Sequence, residues 1–434
     1  MQLTTGKAPM HYGWIIVWLT FITVLVTAGI RSIMGVIMVP LEEEFDWSRS
    51  TISFAFGLNL FIYGLAGPFM AAAMQRFGVR RIMLYGLVLL VAGVAASLLI
   101  SQIWQFQLIW GVVLGIGSGI FQTVLSATVA NQWFEARRGM VMGLLMAASA
   151  AGQMIFLPFL SYLVTTYSWR SALNVFIVLG IVLIPVIALW MRDRPSDKGL
   201  LPYGASASSV NSAAKKPEGP KKSPFASAVA TLFLGFRSLP FWLLAISFLM
   251  CGATTSGLIG THFIPASIHH GIPEVGAASL FAFMGMFNIV GTLISGWLSD
   301  RFDNRWLLFW YYSFRSVLLF MLPFALDLQS YGMLIVFALF YGLDWIATGP
   351  PTVRLASDHF GKERGTVIYG WIFAFHQLGS GMAAFMAGYL YDRFESYTYS
   401  FLAAAVFCII ATLFVFGVKK KETPIGPTPA RQAV

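Results

Sequence analysis

The chain has 434 residues, of which 58% are hydrophobic and only 11% charged. Soluble domains carry about a quarter charged residues, so this composition excludes a soluble protein and points to a membrane protein. The formal charge is +10, so what it means depends on where the cations sit.

A hydrocarbon core of about 30 Å needs about 20 apolar residues per helix. By that measure about twelve spans follow in order: 12–38, 50–73, 82–101, 104–131, 139–165, 170–191, 238–268, 273–299, 306–325, 331–355, 365–390 and 399–418. The first run lacks a small-residue cleavage site after a short core, so it reads as a span and not as a signal peptide. Inside it lies VTAGIRSIMGVIMVP, residues 26–40, where Arg31 stands alone among apolar neighbours. A guanidinium in hydrocarbon costs at least about 2.5–3.5 kcal/mol on insertion scales. Arg31 lies about seven residues from the outer end of its helix, about 10 Å at 1.5 Å per residue. Thr20, Thr23, Thr27 and Gly35 share its helix face, a polar and small stripe expected to face a central cavity. There the planar fork of Arg31 suits a substrate carboxylate. The alternative is snorkelling to the interface or a bond to a backbone carbonyl.

Between the sixth and seventh spans runs SASSVNSAAKKPEGPKKSP, within a polar segment covering about 192–237. Its composition suits a flexible cytoplasmic linker with some interfacial character. It separates an N-terminal half, 1–191, from a C-terminal half, 238–418, which a tail of 419–434 follows.

The halves repeat. QRFGVRR follows the second span and DRFDNR the eighth; FEARRG begins at Phe134 and FGKERG at Phe360. Gly35 and Pro40 recur as Gly260 and Pro265, and all these pairs share one spacing of about 225 residues. Two duplicated six-helix halves are the expected layout of a transporter with a central site. Gly111, Gly115 and Gly119, and likewise Gly139, Gly143, Ala147 and Ala151, form stripes of small residues that let helices approach closely.

Charge location sets the topology. Among the 28 lysines and arginines, only Arg49, Arg170 and Arg393 fall on the side opposite the linker, and Arg31 and Arg315 fall within spans. The opposite loops are acidic, as at Glu42, Glu43, Glu44 and Asp46. The positive-inside rule then places both termini in the cytoplasm and the chain in the cell (inner) membrane as a multi-pass protein. The excess charge is thus a topology signal, and no nucleic-acid partner is expected. Cys251 and Cys408 both lie in apolar runs and read as small core hydrophobes, with no disulfide framework and no metal-ligand spacing. No metal and no cofactor are expected.

Ionisable groups within spans are functional candidates by default: Arg31, His262, Arg315, Asp344 and His376. At the repeat spacing Arg31 meets Ser256 and Arg315 meets Leu90, so the scaffold is duplicated and the charges are not. Asp344 is the first proton-carrying candidate, with His376 in AFHQLGSG and His262 in GTHFIPASIHHG after it. A lone histidine is more often a hydrogen-bonded helix contact. Arg315, in WYYSFRSVLLF, could neutralise Asp344 as a structural ion pair. Asn59, Tyr63, Gln122, Ser126, Gln153, Asn288, Tyr341 and Trp345 fill out the candidate substrate site; for each aromatic, lipid or packing contact is the plainer reading. Two arginines against one aspartate leave the cavity with one net positive charge, which suits a monoanion and repels a cationic drug. The prolines of PPT, 350–352, should break the tenth helix beside Asp344, as a gating hinge or a simple kink. No H-E-x-x-H, G-x-S-x-G or P-loop is present, and the linker is too short for a catalytic domain, so an enzyme is not expected.

DRFDNR, with Asp300 and Arg301, and its degraded copy QRFGVRR, with Gln75 and Arg76, resemble the signature loop of the major facilitator superfamily. The resemblance implies an all-α membrane fold of twelve transmembrane helices in two pseudo-symmetric halves, with Asp300, Arg301 and Arg76 as gating-loop residues. GIGSG at 115–119 followed by WFEARRGMVMG at 133–143 resembles the fourth and fifth helices of the monocarboxylate transporter family and its bacterial relatives. YGW at 12–14 and VPLEEEFDWSRS at 39–50 resemble the first-helix region of bacterial members. Two family features are missing: His11 precedes YGW in place of an acidic residue, and FAFMGMFNIVG at 281–291 lacks the usual Asp–Arg pair. The resemblance implies alternating access and a small organic anion, a monocarboxylate foremost, moved by symport with a proton by a monomer in the bilayer. The alternative is an exporter of amphipathic or drug-like compounds, for which 38 phenylalanines and 14 tryptophans would allow a greasy cavity.

Overall fold

In a bilayer the backbone must satisfy its own hydrogen bonds, and long runs of Leu, Ile, Val and Phe do so as helices. A computed structural model of the protein describes residues 11–121, 123–205 and 224–418. The spans are α1 Tyr12–Phe45, α2 Arg49–Phe77, α3 Val79–Ser97, α4 Ile103–Trp133, α5 Arg138–Thr166, α6 Trp169–Trp190, α7 Leu239–His269, α8 Glu274–Ser299, α9 Asn304–Asp327, α10 Tyr331–Phe360, α11 Lys362–Phe394 and α12 Thr398–Phe416. Among the described residues, 11 helices are apolar and long enough to cross a membrane on composition and length alone. The exception is α11, whose 33 residues include His376, Gln377 and Ser380, buried against neighbouring helices instead of facing lipid. Helix starts follow from capping: the side chains of Ser48, Ser168, Ser238 and Ser330 each accept from the backbone N–H three residues on.

Among the described residues four helices are irregular, and one of them, α4, is π-helical over Gln107–Val113. α1 is interrupted at Ile33, between Tyr12–Ser32 and Met34–Phe45. At the repeat spacing this point falls in Ala253–Ile259 of α7, which is π-helical, so both first helices of the halves depart from regularity at one place. α10 breaks between Tyr331–Asp344 and Gly349–Phe360. The break lies just before Pro350 and Pro351, which occupy the first turn of the following segment, where a missing N–H forfeits no helical bond.

The segment expected as a flexible linker is more ordered than its composition suggests. Residues 192–205 carry a short turn, Pro195–Lys198, and then strap the ends of α1 and α4. His11 Nε2 donates to the Leu201 carbonyl (3.0 Å), Tyr203 N to Trp133 O (2.8 Å) and Glu135 N to Tyr203 O (3.0 Å). A linker helix, Pro224–Phe236, then runs into α7. Its apolar sequence, PFASAVATLFLGF, sustains a helix that the preceding Ser/Lys/Pro composition obscures. Residues 206–223 and the tail 419–434 lie outside the described residues.

Packing follows the duplication. α1 packs on α5, α2 on α4 and α3 on α6; likewise α7 packs on α11, α8 on α10 and α9 on α12. Arg80 and Arg305, one repeat apart, both donate to carbonyls at the end of the last helix of their half, Ala188 and Val418. Gly111, Gly115 and Gly119 seat α4 against Leu58, Asn59 and Ala66 of α2, whereas Gly143 on α5 has open space beside it. The halves meet through α1 with α7, α2 with α11 and α5 with α8. A Cβ on Gly57 or Gly381 would collide with the backbone of the other, so α2 and α11 cross as closely as two helices can. The end of the bundle bearing residues 192–237 is called the linker end below, and the opposite one the far end.

Candidate substrate site and the buried charge pair

Arg31 sits in the last turn before the interruption of α1 and is half-buried. Its guanidinium lies over the Tyr63 ring, 4.5 Å from the centroid. Val24, Thr27, Ala28, Tyr63, Ser118, Phe121 and Ser149 line a small recess with it. Among the described residues its guanidinium has no hydrogen bond and no ion pair, so its charge is met by an aromatic face alone. Ser118, 4% exposed, also has a hydroxyl without a hydrogen-bond partner among the described residues. A guanidinium and a hydroxyl are thus left unpaired in one recess of about 20 Å³, room for a water-sized group.

The threonine stripe behaves differently from the expectation. Thr27 lines the recess, yet Thr20, Thr23 and Thr27 are all buried and donate to Ile16, Leu19 and Val24 of their own helix. Back-bonding of this kind satisfies a hydroxyl locally, so helical spacing alone did not tell a lining threonine from a packed one.

Arg315 and Asp344 meet. Arg315 Nε donates to Asp344 Oδ2 at 2.5 Å, and Nη2 donates to the Asp344 carbonyl at 2.7 Å and the Trp345 carbonyl at 3.4 Å. Side-chain exposures of 0% and 4% make this a fully desolvated pair. The backbone contacts exist because α10 stops at Asp344, leaving its last carbonyls without intrahelical donors. Arg315 Nη1 donates to Cys251 Sγ at 2.9 Å, and that sulfur also bonds Thr348 Oγ1 at 3.3 Å. Cys251, expected as a plain core hydrophobe, is therefore a polar partner of the pair. No spacing in the sequence signals this, because the contact joins α7, α9 and α10. Asp344 Oδ1 is buried with no hydrogen-bond partner among the described residues.

The remaining candidates disperse. Asn59 Nδ2 donates to the Trp110 carbonyl at 2.6 Å, tying α2 to α4. Tyr341 is fully buried and its hydroxyl donates to Thr254 O at 2.8 Å, tying α10 to the π stretch of α7. Trp345 is half-buried, edge-on to Tyr341 and Phe281. Asn288 Oδ1 accepts from Ile346 N and Thr292 Oγ1, both at 3.2 Å. Gln153 is half-buried on α5, one turn beyond the lining residue Ser149, and Ser126 is buried on α4. Gln122 lies outside the described residues.

Both histidine candidates are engaged. His262 Nε2 faces the Ala384 carbonyl at 2.7 Å and so carries the proton, while Nδ1 accepts from the Tyr397 hydroxyl at 3.0 Å. His376 stacks parallel to Phe373 with centroids 5.6 Å apart, and its Nδ1 lies 3.1 Å from Gln377 Oε1. In the signature loop, Asp300 lies 3.8 Å from Arg354 of α10, whereas Arg301 packs over Trp297 at 4.0 Å. Arg76 is exposed, its guanidinium 5.2 Å from the Phe77 ring centroid. Sequence reading missed Ser118, Phe121 and Ser149, which reach the Arg31 recess from α4 and α5.

The family profile of the Major Facilitator Superfamily matches residues 20–384. The chain is 24% identical over 405 residues to the Bacillus subtilis uncharacterized MFS-type transporter YcxA, covering 92% of each chain. It is also 24% identical over 431 residues to human monocarboxylate transporter 11, covering 97% of this chain and 86% of that one. Among solved structures, a bacterial homologue of the human lysosomal transporter Spinster, inward-facing and unoccupied, superposes with a TM-score of 0.72 at 16% identity over 95% of this chain and 98% of that one. A D-xylose–proton symporter superposes with a TM-score of 0.71 at 15% identity, covering 94% and 98%. Twelve spans in two halves with a repeated packing scheme, and a family match across most of the length, lead to one conclusion: this chain belongs to the Major Facilitator Superfamily and is a membrane transporter, not an enzyme.

Proposed function

We propose that the protein moves a small organic anion, a monocarboxylate foremost, by proton-coupled alternating access. The observation that carries this reading is the Arg31 guanidinium, which lines a polar recess with no described hydrogen bond or ion pair. Asp344 is already matched by Arg315. Arg31 therefore supplies the net positive charge, which suits one carboxylate and repels a cation. The monocarboxylate transporters among its relatives support the same class. Asp344 is the proposed proton carrier, because its Oδ1 has no partner to hold the charge there. His262 ranks below it because both its ring nitrogens are hydrogen-bonded, and His376 because it bonds Gln377 and stacks on Phe373. The linker end is proposed to face the cytoplasm of a cell membrane, with both termini on that side, because the cations concentrate there. Export of amphipathic cations finds no comparable support, as the charge in the recess is the positive one of Arg31.

Uptake into liposomes under an inward proton gradient, with a panel of mono- and dicarboxylates, tests the reading. Gradient-dependent accumulation of monocarboxylates is expected, and its absence across the panel would sink the idea. Arg31→Ala should abolish anion binding, and Arg31→Lys should retain little, because an ammonium cannot make the bidentate fork. Unchanged affinity in Arg31→Ala would remove the carboxylate role.

A further inference from the structure

At the far end, Arg49 opens α2 and is only 7% exposed. Its guanidinium binds Glu42 of α1 through both Nε and Nη2. The same guanidinium reaches into the other half. It lies 3.8 Å from the Tyr391 ring centroid, and Nη1 donates to the Tyr397 hydroxyl at 3.1 Å. Across the same boundary, Asp392 accepts from the backbone N–H groups of Arg49 (3.2 Å) and Ser50 (2.9 Å), so a carboxylate of one half caps a helix of the other. The Tyr397 hydroxyl in turn donates to His262, which donates to Ala384 of α11. One chain of hydrogen bonds thus runs from α2 to α12, α7 and α11.

We propose that Arg49 is the latch of the far-side gate: its contacts with Tyr391, Tyr397 and Asp392 hold that end closed and must break for the recess to open there. The partition of its partners suits a latch. Glu42 belongs to the N-terminal half and travels with Arg49, so opening leaves no stranded charge. The groups given up are two aromatic residues and a helix cap. Below the latch, Gly57 against Gly381 and Phe54 against Phe385 continue the closed seam toward the membrane centre. The repeat supplies a second argument. At about 225 residues from Arg49 stands Glu274, the first residue of α8. It makes the equivalent contact in the other seam, accepting from Ser161 of α5 at 3.1 Å. Duplication placed an ionisable residue at both far-end crossings, basic at Arg49 and acidic at Glu274.

This inference rests on membership of a transporter family, not on the identity of the substrate, and its test needs no substrate. A cysteine introduced at Thr27, in the recess, is labelled from the far side with a membrane-impermeant maleimide in vesicles of defined orientation. Both native cysteines are buried. Arg49→Ala should raise the labelling rate by about tenfold or more, as expected from losing hydrogen bonds to a charged group. Tyr397→Phe removes one hydroxyl and should raise it by about threefold. Far-side rates equal to the parent in both variants would overturn the proposal. If Arg49→Ala does not fold, Tyr397→Phe decides it alone. Failure here leaves the carboxylate reading standing, and failed uptake leaves the latch standing.

Discussion

Arg31 and Arg315 are the same side chain in two situations. Arg315 is fully buried and holds a carboxylate, a thiol and two carbonyls. Arg31 is half-buried and holds a ring. A buried ion pair is weak evidence for stability, but breaking it strands a charge. Asp344→Asn should therefore lower stability by about 3–5 kcal/mol, and the double variant Arg315→Leu/Asp344→Leu should recover most of that loss, measured by thermal unfolding in detergent. If the double variant is no more stable than the single, the pair has a further structural role. Both arginines were visible in the sequence as charges in apolar runs, and their opposite fates were not. The pair needed α9 and α10 to meet, and the recess needed Ser118 and Ser149 to arrive from other helices.

At the scale of elements, close crossings carry the architecture. A Cβ at Gly342 would collide with the backbone of Met284, and one at Gly291 with that of Leu343. α8 and α10 therefore meet at backbone distance within two residues of Asp344. Gly342→Val should push them apart and cost about 1–3 kcal/mol through overpacking. A drop of several degrees in melting temperature, with a smaller effect from Gly342→Ala, is the expected pattern; no drop would mean that the crossing relaxes freely. Helix existence was legible, because apolar runs of membrane length have few alternatives in lipid. Interruptions were less so. The prolines at 350–351 did signal the α10 break, but it formed ahead of them, and nothing in GIRSIMG marked the stop at Ile33.

For the molecule as a whole, the halves pack by the same scheme and meet along three pairs of helices. Association of the halves then rests on these helix contacts. A chain divided within 206–223, with both parts co-expressed, should yield halves that copurify and retain uptake close to that of the intact protein. Recovery of only one half, or of an inactive pair, would show that the covalent link is required. Residues 192–205 should stay with the N-terminal half, since they strap the ends of α1 and α4.

By itself the sequence determined the membrane class, the number of spans, the duplication and the family. These rest on composition, on the length of apolar runs and on repeated motifs, all local or periodic properties that need no three-dimensional contact. Only the tertiary structure decided which polar groups remain available. It spent Asn59, Tyr341 and His262 on holding helices together, closed Asp344 against Arg315, and left Arg31 facing a recess. The physical reason is that a buried polar group must find a partner, and in a helical bundle that partner usually lies on another helix, far away in the chain.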